Sequence, residues 1–590
     1  MQIERLVIFL RSRRSDPNIR PAYLAFILTT LLFGPQFQTK IIAQGQLPQK
    51  TDSLKSSSEA EAPAPAPAPA RTEEEIEKLK TVVADQQKRI EQLELMVNDQ
   101  KKAIEQALHL ASTKPAALNE TQPSTKLETG NVASLPGATP ASLEPVRQTQ
   151  AVADSPLSLR LGKVSITPYG FLELTTIIRD KDVGSGIGTN FGGAPFSNTV
   201  NGHLSEFRFT PQNTRLGARF DAHHGGADFL GMVETDFNGF APGNAPVTTN
   251  GDGLRIRLGW LDVRKNKWEV LGGQSWSLLT PNRKGTSPIP ADIFSTQNID
   301  QSIQVGLTWA RDPQFRVIYH ANKTVTLAVA LEAAEQYGGG SAGAGEITLP
   351  AALASSYSSQ LDLGETTFSV PNLHPDVIAK VAFDPKVGRH DLHLEVAGLL
   401  SGFHFFNSQT QTSHSATGGG VLAGINYEAF KNFRIIANGF YSNGGGRWIF
   451  GLGPDVIINS DGRPSLVHSA STVSGLEYQA NASNLFDAYY GGAYIYRSSA
   501  ADLNGQPIGY GYSGSPLNHN RALQQLTVGY TRTFWRDPNY GALQFISQYS
   551  YLVRNPWSVP PGQPSRASLN FVYLSIRYVL PGAPPAKPGQ

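Results

Sequence analysis

The sequence predicts an all-β transmembrane barrel of about 16 antiparallel strands, preceded by a helical coiled-coil segment. Three observations predict it. Apolar and polar residues alternate with period two in segment after segment from Val164 to Leu580. Short and long connections take turns between those segments. Ahead of them, residues 71–110 carry a seven-residue apolar repeat.

Residues 1–43 read as a signal peptide. Arg11, Arg13, Arg14 and Arg20 form a basic region, and Ala22–Gly34 is apolar. That stretch is shorter than the roughly 20 residues a membrane helix needs, which favours a secretion signal, with Ala43 as a plausible cleavage position, over the alternative of an uncleaved membrane anchor. Residues 44–70 form a linker in which Ala and Pro alternate, a composition that favours extended polyproline II geometry.

Over residues 71–110 Gly and Pro vanish. Ile76, Val83, Ile90, Val97 and Ile104 recur every seven residues, with Leu79 and Leu93 as companions. This is a heptad seam with β-branched a positions, and so short a helix needs a partner. The pattern predicts a homo-oligomer, and dimers and trimers both fit it. Residues 111–158 are rich in Pro, Ser, Thr and Ala and read as a flexible linker.

The barrel is predicted over 159–580, with a Pro-rich tail at 581–590. Leu254, Ile256, Leu258 and Trp260 fall on one face of a strand, with Arg255 and Arg257 on the other. Val305, Leu307, Trp309, Phe315, Val317 and Tyr319 keep one parity, so 302–320 reads as a single strand despite Pro313. Tight turns near 223–227, 264–267, 320–323, 384–389, 430–432, 481–484 and 536–539 alternate with longer connections at 180–203, 238–252, 277–301, 334–374, 404–418, 444–470, 498–520 and 555–565. Outer-membrane barrels combine short periplasmic turns with long outer loops and an even strand number. That places the barrel in the cell outer membrane with the coiled coil in the periplasm. A barrel of about 16 strands is wide enough for an aqueous channel.

The candidate selectivity residues follow from alternation. Arg208, Arg215, Arg219, Arg255 and Arg257 share the face opposite lipid-type side chains, as do Arg316, Lys380 and Arg577. A cation facing lipid at the midplane costs about 2–4 kcal/mol, so these side chains are expected to line the lumen. There they would attract carboxylates or phosphates, or pair with Glu173, Glu206, Glu234 and Asp236 to stiffen the wall; the two roles are compatible. The third long loop adds Arg283, Lys284, Asp292 and Asp300, charges that would create a transverse field if the loop entered the lumen.

Other chemistry finds little support. No cysteine is present, which excludes disulfides, thiolate metal sites and Cys nucleophiles. Gly184, Gly186 and Gly188 lack the strand-to-helix context of a phosphate loop. His390, His393 and Glu395 sit on one strand, where His390 faces away from the other two, so no metal or other cofactor is expected. No Ser/His/Asp arrangement has a supporting context, and neither an enzyme nor a nucleic-acid binder is expected.

Four segments, Asn213–Ala222 (NTRLGARFDA), Ala227–Phe237 (ADFLGMVETDF), Leu254–Val263 (LRIRLGWLDV) and Val270–Leu279 (VLGGQSWSLL), occur in an order that resembles the DcaP-like porins, as does a coiled coil ahead of a barrel. The resemblance implies a trimeric outer-membrane channel with a preference for anionic solutes such as dicarboxylates. It gives the inward arginines a use. One departure is the end of the chain: such barrels usually finish on an aromatic residue, whereas here a Pro-rich tail follows Leu580. The expected function is passive diffusion of small hydrophilic, anionic solutes. The alternative is a structural anchor that joins the membrane to the cell wall through the coiled coil.

Overall fold

A computed structural model describes residues 156–240, 252–340, 343–364 and 370–581. The signal peptide, both linkers but for the last residues of the second, the coiled coil and nearly all of the tail lie outside these residues.

Sixteen antiparallel strands close on themselves. In chain order they are β1 (Val164–Arg179), β2 (Glu206–Thr210 and Arg215–His224), β3 (Ala227–Phe240), β4 (Asp252–Lys265), β5 (Trp268–Trp276), β6 (Arg311–His320), β7 (Val325–Glu332) and β8 (Asp376–Phe383). The second half comprises β9 (His390–Asn407), β10 (Thr412–Phe430), β11 (Phe433–Asn443), β12 (His468–Asn481), β13 (Asn484–Ile495), β14 (Asn520–Asp537), β15 (Gly541–Pro556) and β16 (Ala567–Val579). Each strand pairs with its neighbour, and β1 closes the ring on β16 from Phe171↔Val579 to Arg179↔Phe571. Closure removes every unpaired edge, which backbone in lipid requires.

The period-two pattern sorts the side chains. On β13, Phe486 and Tyr490 are 43% and 45% exposed on the outward face, while Leu485 and Tyr489 are buried on the inward one. Leu172, Leu174, Phe207, Phe209, Val421 and Ile576 continue the exposed apolar belt. An apolar surface of that extent around a closed barrel belongs in a bilayer. Aromatic pairs mark its rims. Trp268–Tyr319, Phe430–Phe433 and Trp535–Tyr578 lie beside the short turns, and Tyr494–Tyr496 lies beside the long loops. Tyr and Trp prefer such interfaces because the ring is apolar and the polar tip stays wet.

Three sequence expectations are corrected. First, residues 302–310 are not part of a strand. Val305 and Leu307 are fully buried, whereas Phe315, of the same parity, is 52% exposed on β6. The run continues the third loop, and parity carried across Pro313 only by coincidence. Second, Leu258 and Trp260 do not share the outward face of Leu254 and Ile256. The register slips between Glu234↔Leu258 and Thr235↔Ile256, leaving Arg257 as an extra residue. Such a bulge reverses the parity beyond it. Third, 404–418 is not a long loop. β9 runs to Asn407 and β10 starts at Thr412, so the Ser- and Thr-rich stretch is a projecting hairpin. Phe403 and Phe405 hold it by packing with Tyr357, Val456 and Ile457 from the neighbouring long loops.

The barrel lumen as candidate functional site

The inner wall of β1–β4 and β16 carries the basic set. Each arginine is inward because its cross-strand partner is: Arg208 pairs with buried Ile177, Arg215 with buried Asp236, and Arg219 with buried Met232. Arg257 keeps the face of Arg255, two residues before it, and the two stand next to two carboxylates. Arg257 donates to Glu234 (2.9 Å) and Asp236 (2.7 Å), and Arg255 donates to both Asp236 oxygens at 3.0 and 2.8 Å. Arg577 donates to Glu173 (2.6 Å), Arg179 to Glu206 (2.9 Å) and Arg219 to Asp221, while Arg215 stands 3.7 Å from Glu234. Glu173, Glu206, Glu234 and Asp236, the four acids expected from the sequence, are thus all engaged. Breaking such buried pairs would leave uncompensated charge, so the network stiffens the wall.

Accessibility divides the wall by sign. Glu173, Glu234 and Asp236 are at most 4% exposed. Arg215 and Arg255 keep 26% and 34% of their side-chain surface, and Arg208 is exposed with its guanidinium on the Ser185 carbonyl. What reaches water on this wall is mostly positive, although Glu206 and Asp221 keep 16% and 29% of their side-chain surface beside Arg179 and Arg219. Arg311, which the sequence reading missed, adds to the positive charge. Its guanidinium lies over the rings of Trp276 and Trp309, 5.2 Å from each, and within electrostatic reach of Arg255 and Arg257. Its signal was hidden because 302–320 read as one strand.

The third loop, residues 277–310, folds into the lumen and crosses it. Near the short-turn end, Gly285 donates its backbone N–H to Asp384, and Asn282 donates its own to Glu395. Lys380 is fully buried and donates to the Thr280 carbonyl (2.7 Å), Asn282 Oδ1 (3.0 Å) and Glu395 (2.9 Å). His393 completes this cluster, with Nδ1 2.8 Å from Asp384. Arg316 reaches the carbonyls of Thr286 and Trp276. Arg283 grips Glu477 of β12 through two bonds of 2.8 and 2.7 Å. Farther along, Gln548 accepts from the N–H groups of Ile299 and Asp300, and Gln525 accepts from that of Val305. Asp300 accepts from the backbone of Thr189 and Ser302.

Of the four loop charges, Arg283 is consumed by the wall, and Asp300 is held by Thr189 of the first long loop and by the third loop itself. Arg283 and Asp300 are buried; Lys284 is exposed, next to the Asp384 turn; Asp292 is half-buried, with its carbonyl accepting from the Arg283 N–H. Glu477, Glu395, Asp384, Gln525 and Gln548 were not foreseen as loop anchors. Glu477 offered a signal, because it shares the parity of inward Val473. A lone acid at that depth requires a cation. The loop and its neighbours fill much of the interior: Leu278, Leu279, Ile299 and Val305 pack with Ile187, Phe191 and Trp448 and with wall residues such as Leu523 and Leu569.

The long loop after β11 is tied down by one cation. Arg447 donates to Asp376 (2.5 Å) and stands 3.9 Å from both Asp312 and Asp455. Burial pushes the Asp455 carboxyl up to about 8, with Arg447 opposing, and the Glu335 carboxyl nearby up to about 7. The folded form holds the Asp455 proton to about pH 8, whereas a free Asp loses it near 4. Stability from this site is thus lost as pH rises from about 4 through 8. The hydrogen-exchange protection factors of residues 446–456, each taken against the intrinsic rate at the same pH, are expected to be lower at pH 9 than at pH 6. Asp455→Asn should abolish the difference; a slope that persists in this variant would assign it to another group.

No protein-family model matches the sequence, and no curated protein matches it. Among solved structures, the outer membrane channel DcaP of Acinetobacter baumannii superposes with a TM-score of 0.51 at 19% identity, over 71% of this chain and 97% of that one. The anion-selective porin from Comamonas acidovorans aligns at 12% identity with a TM-score of 0.39, over 71% of this chain and all of that one. OmpF of Salmonella typhi aligns at 10% identity with a TM-score of 0.40, over 72% and 100%. The chain therefore has the barrel fold of an outer-membrane channel, and at the level of the fold it is DcaP-like.

Proposed function

We propose that this chain is an outer-membrane porin that passes small hydrophilic, preferentially anionic solutes by passive diffusion. It acts without catalysis, and the residues that bias it are the inward cations. The observation that carries this reading is the asymmetry of the β1–β4 wall: Glu173, Glu234 and Asp236 are buried beneath arginines, and Arg208, Arg215 and Arg255 stay accessible. A solute moving along that wall meets guanidinium groups, which bind carboxylate and phosphate oxygens in a planar fork. Arg219, Arg257, Arg283, Arg316 and Lys380 support the same surface from behind: Arg257, Arg283, Arg316 and Lys380 are buried, and they hold the wall and the third loop in place. Lys284 and Asp292 contribute charge on the loop itself. In this reading the short turns face the periplasm, and the heptad seam of Ile76, Val83, Ile90, Val97 and Ile104 joins copies of the chain there, with a trimer as the assembly.

Planar-bilayer recording of the purified protein tests the proposal. Stepwise ion current is expected, with a reversal potential in a salt gradient that favours anions. A folded barrel that carries no current overturns it. Arg215→Gln with Arg255→Gln should lower the anion-to-cation permeability ratio by about threefold, the scale of a partly screened charge interaction. An unchanged ratio would remove these two residues from selectivity.

A further inference from the structure

Outside the lumen, a second cationic feature stands at the long-loop rim. Tyr494 lies on the outward face of β13, in register with exposed Tyr490 and Phe486. It begins a run of rings around that rim. Tyr441–His468, His468–Tyr496, Tyr496–Tyr494 and Tyr494–Trp557 have centroids 5.9, 6.1, 4.8 and 6.0 Å apart. The run spans strands β11 to β13 and ends on Trp557, just past β15. The Trp557 indole is fixed, because its N–H donates to the Ile495 carbonyl (3.0 Å). Two arginines use this one indole: the Arg497 guanidinium stands 4.9 Å and that of Arg521 stands 5.8 Å from the ring centroid. Both are exposed, and among the described residues neither has a carboxylate within ion-pair distance.

The height of this pair identifies its ligand. An outward ring of Tyr and Trp marks the level where hydrocarbon meets headgroups. Two guanidinium groups pinned at that level have their cation–π faces satisfied and their N–H donors free. They lack an anion from the protein, and the layer they touch supplies phosphate. Arginine binds phosphate in a bidentate manner, and holding it on an indole lowers the entropy lost on binding.

We propose that Arg497, Arg521 and Trp557 form a docking site for a phosphorylated headgroup of an outer-leaflet lipid. The orientation, though not the site, rests on the porin reading, which puts the long loops on the outer side. The site would seat lipid against β13–β15 and hold the long loops that follow β13 and β15 close to the membrane surface.

The test uses the purified full-length chain in detergent and native mass spectrometry, with diphosphorylated lipid A and its dephosphorylated form as probes. The wild type is expected to retain the phosphorylated lipid in preference. Arg497→Gln with Arg521→Gln should weaken retention by about tenfold and abolish the preference. Arg497→Lys with Arg521→Lys, which preserves both charges, should keep a preference. Circular dichroism and heat-dependent gel mobility identify any variant that has not folded. The proposal is overturned if the wild type does not distinguish the two lipids, if the glutamine pair binds as the wild type does, or if a folded lysine pair behaves like the glutamine pair. Because these residues lie outside the lumen, single-channel conductance should be unchanged in all of them. A failure here is therefore distinguishable from a failure of the porin reading.

Discussion

Arg283→Ala is expected to release the third loop from the far wall and to raise single-channel conductance. Arg283 and Glu477 are 5% and 2% exposed, and their two short bonds are the direct ionic link between the loop and β12. The alanine leaves Glu477 buried without its cation. Only the Tyr489 hydroxyl (2.6 Å) and the Gln297 amide (3.5 Å) would remain on it. Removing one partner of a buried pair costs about 3–5 kcal/mol. The loop can avoid that cost by swinging away and letting water reach Glu477, which would widen the pore. A lower unfolding temperature and a larger or noisier unitary current are the expected readouts. Arg283→Met with Glu477→Leu removes both charges and should recover most of the thermal stability, since apolar replacements of a buried pair are often neutral. If Arg283→Ala keeps both the conductance and the unfolding temperature, the ion pair is not what holds the loop.

Gly306→Ala should be nearly as damaging, for a steric reason. Gly306 has φ of +85°, and a Cβ built there would lie 2.4 Å from the Thr472 carbonyl oxygen and 2.5 Å from that of Gly492. Both oxygens belong to the rigid ladder of β12 and β13, so the loop has to move. That would also break the bond from the Val305 N–H to Gln525 (2.8 Å). Left-handed backbone strain and overpacking together suggest a cost of about 2–4 kcal/mol. Gly505, with φ of +80° and nothing within 4 Å, provides the control. Gly505→Ala carries the strain without the clash and should cost about 1 kcal/mol. Denaturant midpoints and proteolysis of the third loop would compare the two. Equal effects would show that conformation alone matters and that the loop is not seated on these strands.

Alternation revealed the strands because each side chain has one neighbour, lipid or interior, and composition records which. It failed where that correspondence changed. At Arg257 one extra residue reversed the faces, and Leu258 and Trp260 look the same in sequence whether they meet lipid or the apolar cluster around Tyr169 and Ile293. At Val305 and Leu307 the apolar residues are buried by loop packing, and an alternating run of four or five residues cannot separate that from a strand. At Thr412–Gly418 the residue types suit a loop, but cross-strand pairing with β9 and packing by Phe403 and Phe405 make it strand. The arginine wall was visible because charge on an inward parity has few explanations. The anchors of the third loop were not, because Glu477 and Arg283 are 194 residues apart.

The sequence by itself determined the barrel, its strand number, the tight turns and all but one of the long loops, and the inward parity of Arg208, Arg215 and Arg255. These follow from a period set by the backbone and from the cost of exposing charge to lipid, both of which act locally. Only the tertiary structure decided where the third loop goes, which cations are consumed by buried carboxylates and which still face water. Those outcomes depend on contacts between residues far apart in the chain, where the balance between desolvation and pairing is settled by position and not by residue type.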